Sequence, residues 1–284
     1  TYMDIVENKG EGQLHALQAG LTRRWRNGLA FDVVYTYADS DTTVPDSGNS
    51  TIGVVLYNPW EPDSDRGPDI NVVKHRLVAN ATWDVPVGRS RKYGSNMPGW
   101  ADALFGGWTV STIFQARSGL NLTPFFSGYY SYNPWNTGKP LDGLGNAFCC
   151  AWRPNEVGNP NAGGGSRDMW FDQTAYVIPP DGEFGTAKKG SLEGPGTWIV
   201  NFSFYKDIVA KDRFRLQLTA LLDNAFNHPQ FFPGYGSGFH SVNDYLENGI
   251  ADNGVTGVLG SDTIYNAEGF SPGRVFRIGL RATF

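Results

Sequence analysis

The residues that could do chemistry are few and do not gather. Cys149 and Cys150 are adjacent, so they are either a vicinal disulfide in an oxidising compartment or two thiols. Neither has a basic or histidine neighbour to activate a thiolate. Two loop stretches are rich in carboxylates: Asp39, Asp41 and Asp46, then Glu61, Asp63, Asp65 and Asp69. Ca²⁺ takes six to eight such oxygens, but the spacing of a calcium-binding loop is missing, and solvated loop charge is the preferred reading. The run Gly185–Ser191 imitates a phosphate loop without the lysine after its second glycine. His15, His75, His228 and His240 lack the paired spacing of metal ligands. His75 and His228 are read as hydrogen-bonding structural groups. No Ser-His-Asp arrangement stands out, so the expectation is a protein without catalytic residues, cofactor or metal.

A second set of polar residues does have a spacing. Asp32, Arg76, Asn80, Asp84, Arg117, Arg215, Gln217, Asp223, Arg277 and Arg281 each occupy the polar phase of a segment whose other phase is apolar. Alternation at period two is the mark of a strand with one apolar face. Seven segments show it, near 14–25, 29–38, 74–85, 108–117, 197–206, 213–223 and 274–284. In the last, Phe276, Ile278, Leu280, Ala282 and Phe284 alternate with Arg277, Gly279, Arg281 and Thr283. Asn27-Gly28 joins the first two as a tight hairpin. Gly99–Phe105 reads as a helical turn between the third and fourth.

The segments are about ten residues long. At ~3.4 Å per residue and a tilt of ~40° they span roughly 26 Å, the height of a bilayer's apolar band. Trp25, Tyr35, Tyr37, Trp83, Trp108, Trp198 and Phe276 sit near segment ends, where interfacial aromatic girdles belong. Connections alternate between short and long, as periplasmic turns and external loops do. The fold expected is all-β, an antiparallel transmembrane β-barrel with long extracellular loops, in contact with outer-membrane lipid. A secreted β-sandwich is the soluble alternative, since its strands also alternate.

Composition agrees. The 284 residues include 36 Gly, 17 Pro, 9 Trp, 13 Tyr and 18 Phe, with 18 % charged. No apolar run is long enough for a membrane helix. A net charge of −5 without basic clusters gives no reason to expect nucleic acid. Seven strands are an odd number, and lipid cannot satisfy two open sheet edges. The expectation is therefore that residues 1–284 form the C-terminal portion of one barrel domain. Its remaining strands would come from upstream sequence or from a second chain.

Several motifs then resemble those of Oar-like TonB-dependent receptors of the Gram-negative outer membrane. They are Val73-Lys74-His75-Arg76-Leu77-Val78 with Trp83-Asp84-Val85-Pro86-Val87-Gly88-Arg89, and Leu104-Phe105-Gly106-Gly107-Trp108. Gln115-Ala116-Arg117-Ser118-Gly119, Arg153-Pro154-Asn155, and Trp170-Phe171-Asp172 follow in the same order. Phe184-Gly185-Thr186-Ala187, Leu192-Glu193-Gly194-Pro195-Gly196 and Asp223-Asn224-Ala225-Phe226-Asn227-His228-Pro229-Gln230-Phe231 complete the series. The resemblance implies transport of a large or scarce solute, powered through the TonB complex, with Phe284 as a signal to the barrel-assembly machinery. The family's plug and TonB box are absent from these residues. Cys149-Cys150 and the stretch Phe239–Asn266 match nothing in it. A barrel that only anchors surface loops, for adhesion or surface-layer assembly, is the other reading. Solute contacts are expected in Phe125–Trp135 and Phe231–Tyr235, because loops carry recognition.

Overall fold

The computed structural model describes residues 8–44, 48–49, 53–54, 57–58, 61–89, 91–124, 153–162, 165, 169–177, 179–180, 183–211, 214–231 and 273–284. Seven long strands form one antiparallel sheet in chain order. They are β1 (Gly12–Arg26), β2 (Leu29–Thr42), β3 (His75–Asp84), β4 (Trp108–Arg117), β5 (Thr197–Lys211), β6 (Phe214–Asp223) and β7 (Val275–Thr283). All seven expected segments are strands. Among the described residues the sheet is not closed, and β1 and β7 are its edges. No helix of the described residues is long and apolar enough to cross a membrane.

Asn27 and Gly28 take φ of 56° and 74°, the left-handed pair that a two-residue hairpin needs to match strand twist. Two strands outrun their sequence pattern. β2 continues to Thr42 because β1 pairs with it as far back as Gly12, and β5 continues to Lys211 opposite Phe214. A bulge between Arg23 and Arg26 also breaks the alternation of β1. Trp25 therefore lies within the bulge, out of the regular phase of Leu17, Ala19 and Leu21. A second bulge falls between Asp207 and Val209.

The register aligns the two phases of all seven strands. One face, face A, runs across the sheet through Leu21–Val33–Ala79–Phe114–Val200 and, further along, Phe204–Ala220–Ile278. Face B runs through Thr22–Asp32–Asn80–Ile113–Asn201 and through Asp207–Gln217–Arg281.

The large side chains of face A do not pack into a core. Leu17, Leu21, Phe276, Ile278 and Leu280 are each more than half exposed. The closed hydrophobic core of the described residues lies elsewhere, in the long connection between β4 and β5. There Leu122, Phe171, Tyr176, Ala187 and Leu192 are buried against one another. Phe171 meets Tyr176 edge to face at 6.4 Å, and Leu192 pairs with Leu122 in a two-residue ladder. The arrangement is the reverse of a soluble sandwich, which would bury its sheet faces and leave its loops wet.

Candidate functional site

All ten polar strand residues lie on face B. Near the short connections, Asp84 Oδ1 accepts from Thr109 Oγ1 at 2.6 Å, and Arg91 approaches Asp84 Oδ2 at 3.5 Å. Arg215 forks onto Asp207, with Nε to Oδ1 at 2.9 Å and Nη2 to Oδ2 at 2.6 Å. Gln217 adds a bond to the same Asp207 Oδ1 at 3.1 Å and faces Arg281 across the next strand pair. Midway, Asp32 accepts from Thr22 Oγ1 at 2.5 Å and stands opposite Asn80.

Near the long connections, Arg277 is ion-paired with Asp223. Arg76 and Arg117 stand directly opposite each other, and Arg117 Nε donates to Thr197 Oγ1 at 3.0 Å. Three ion pairs, Asp84–Arg91, Asp207–Arg215 and Asp223–Arg277, thus lie on this face, whereas Arg76 and Arg117 meet there as like charges. Face B is not uniformly polar, which its alternation did not reveal. Val34, Val78, Ile113, Ile199 and Leu221 share it, and Ile113 is 43 % exposed.

Face A carries Tyr35, Tyr37, Trp83, Trp108, Trp198 and Phe276 in two bands. Trp83 and Trp108 lie at the short-connection end, where Phe284 meets Phe214 at 5.5 Å between ring centroids. Tyr35, Tyr37, Trp198 and Phe276 lie toward the long-connection end. His75 and His228 join this second band. Tyr35 Oη is 2.7 Å from His75 Nδ1, and His228 lies over Trp198 with centroids 4.2 Å apart. Gln230 Nε2 reaches the Trp198 carbonyl, and Asn224 Oδ1 accepts the His228 amide at 3.0 Å. The Asn224–Gln230 motif is a tied turn that fixes the top of β6.

Above the sheet, the loop layer is pinned by buried polar groups. Asp65 was expected to be solvated loop charge. Its side chain is 0 % exposed and ion-paired with Arg153, itself 6 % exposed. Asp65 Oδ2 accepts the Tyr57 amide at 2.7 Å, so both oxygens are engaged. Arg153 also donates to the Ser64 carbonyl at 2.8 Å and lies 4.5 Å from the centre of the Tyr57 ring. Tyr57 Oη accepts the Gly185 amide at 2.7 Å, and burial pushes its phenol up to about 12. Nearby, Arg66 draws together Asp41, Asp63 and Glu11, and these carboxylates hold its guanidinium well above its usual range.

The apparent phosphate loop is a strut. Lys189, 2 % exposed, sends Nζ to the carbonyls of Thr42 at 3.1 Å and Val44 at 2.6 Å, and no helix begins there. Among the described residues no three His, Cys, Asp or Glu side chains gather in a way that could hold a metal ion. Phe231, expected to contact solute, packs partly buried on the loop core. Cys149, Cys150, Asp46, His240, Phe125–Trp135 and Phe239–Asn266 lie outside the described residues.

A continuous strand wall with one apolar, aromatic-banded face and one face that carries the strand charges is that of a membrane β-barrel. Residues 1–244 match the family model described as an outer membrane beta barrel domain, and the chain belongs to that family. It is a β-barrel protein of the outer membrane. No curated protein and no solved structure matches it.

Proposed function

We propose that the chain supplies wall strands and outer loops of a TonB-dependent transporter, a non-enzymatic carrier of a large or scarce solute. Face A meets lipid, face B meets the barrel interior, and the short connections lie on the periplasmic side. The observation that carries this reading is the composition of face B. Three ion pairs set beside the apolar Ile113, Val78 and Ile199 suit a wall covered by a packed domain. A purely aqueous pore gives exposed isoleucine no partner. The plugged lumen of large transporters, of about 22 strands, provides that cover.

The two open edges agree. In lipid an unpaired row of N–H and C=O groups is prohibitive, so β1 and β7 must pair with further strands. The order of motifs resembling Oar-like receptors supports the same reading.

The test is to isolate the native subunit from its outer membrane, measure its mass, and cross-link it in cells to TonB. The reading expects a subunit much heavier than these 284 residues and an adduct that disappears when TonB is deleted. A subunit with no plug and no TonB adduct would overturn transport and favour the surface-anchoring barrel.

A further inference from the structure

The connection between β3 and β4 holds a helix whose polarity is inverted for a water-facing element. The helix α1 (Gly99–Phe105) turns Asp102 inward, where Oδ1 accepts the Arg89 amide at 2.8 Å. Its large apolar residues point away from the protein. Trp100 is 68 %, Leu104 59 % and Phe105 61 % exposed. A soluble amphipathic helix buries that side.

Two face A residues fix where the helix sits. Trp108 Nε1 donates to the Leu104 carbonyl at 2.8 Å. Lys206, paired with Trp108 across the β4–β5 register, sends Nζ to the carbonyls of Asp102 and Gly106. Its ammonium also lies 5.6 Å from the Trp108 ring centre. A lysine on an apolar membrane face is costly unless it has such partners. The helix is thus tied to the apolar side of the sheet, at the level of the Trp83–Trp108 band, while Arg91 of its flanking loop reaches Asp84 on face B. Arg89, Arg91 and Lys92 are exposed beside it, with Lys92 Nζ 5.1 Å from the Tyr93 ring centre.

We propose that α1 and its flanking loop form an interfacial anchor in the phospholipid leaflet at the short-connection end. Trp100, Leu104 and Phe105 enter the boundary between headgroups and acyl chains. Lys92 and Arg89 lie at phosphate level, as amphipathic interfacial helices arrange their two sides. The occupant is glycerophospholipid, because the exposed apolar side continues the lipid-facing surface of β3 and β4. This inference rests on the reading that face A meets lipid.

The test uses the full-length protein in phosphatidylcholine–phosphatidylglycerol vesicles with acyl chains brominated at a shallow or a deep position. A fluorophore is attached at Leu104→Cys, with Cys149 and Cys150 replaced by Ser. Trp100→Cys serves as a second site should the first variant fail to fold. Ile278→Cys marks the middle of face A, and Gln217→Cys marks face B. The anchor requires the helix probe to be quenched most by shallow bromine and the Ile278 probe most by deep bromine. A helix probe quenched only by aqueous iodide, or by neither quencher, overturns the anchor while leaving face A in lipid. An Ile278 probe that no bromolipid quenches overturns both readings.

Discussion

Arg153 and Asp65, 88 residues apart in the chain, meet in an ion pair closed off from solvent. Around it Tyr57, Ser64 and Gly185 complete the hydrogen bonding, so two long connections are locked into one layer above the strands.

Removing one partner leaves an uncompensated buried charge, a loss of about 3–5 kcal/mol. Arg153→Met is expected to loosen the loop layer while leaving the strands folded. Replacing both partners, with Asp65→Leu added, should recover much of the loss, because two apolar groups need no counter-charge. Limited proteolysis of outer-membrane vesicles reads the difference as faster cleavage in residues 61–73 and 153–193. Equal cleavage of wild type and Arg153→Met would remove the pair from the account.

The phenols of Tyr57 and Tyr176 give the layer an alkaline limit. Burial raises both, Tyr57 to about 12, above the value near 10 of an exposed tyrosine. The folded layer therefore holds these protons more tightly than the unfolded one. The stability they contribute is complete below pH about 10 and falls as pH rises toward about 12. A tyrosinate absorbance titration should show a late fraction that Tyr57→Phe reduces. A titration in which every tyrosine ionises together near 10 would contradict the burial.

Backbone contact makes a sharper demand at Gly119. A Cβ there would lie 1.7 Å from the Gly194 carbonyl oxygen, a position that neither chain can yield by a side-chain rotation. Gly119→Ala is expected to separate the strand end from the Gly194–Gly196 turn and cost more than the ~1 kcal/mol of an average substitution. Gly279→Ala on β7, with nothing within 4 Å of its added Cβ, is the matched control and should be silent. Thermal unfolding in detergent, followed by gel mobility, distinguishes them.

The two sheet faces should also respond oppositely to charge. Leu280→Arg places a cation on face A, at a cost of about 2–4 kcal/mol if it lies near the bilayer midplane. Thr219→Arg, on face B and opposite Gly279, adds the same charge to a face that already carries arginines and ion pairs. Folding into vesicles should suffer in the first and be largely spared in the second. Equal losses would mean the faces do not differ in solvent.

The strands were legible because alternation is local. Nine residues of β7 suffice to show Phe276, Ile278 and Leu280 in one phase and Arg277 and Arg281 in the other. Asn27-Gly28 announces its own turn, and α1 falls on its expected residues. The bulge that shifts Trp25 was hidden, because it depends on which residues of β2 face Arg23 and Arg26. The loop layer was hidden for the same reason on a larger scale. Tyr57 and Gly185 are 128 residues apart, and no local pattern distinguishes buried Asp65 from exposed Asp63. The motifs Arg153-Pro154-Asn155 and Phe184-Gly185-Thr186-Ala187 were visible as words, but what they do, holding one layer together, required the fold.

Lipid-phase carbene labelling of the native protein, mapped by mass spectrometry, tests the opposed faces most directly. A photoreactive probe dissolved in the acyl chains should mark Leu17, Leu21, Ile278 and Leu280 and spare Gln217, Arg277 and Arg281. Label spread evenly over both phases of β7, or concentrated on the charged one, would contradict a wall with lipid on one side and the barrel interior on the other.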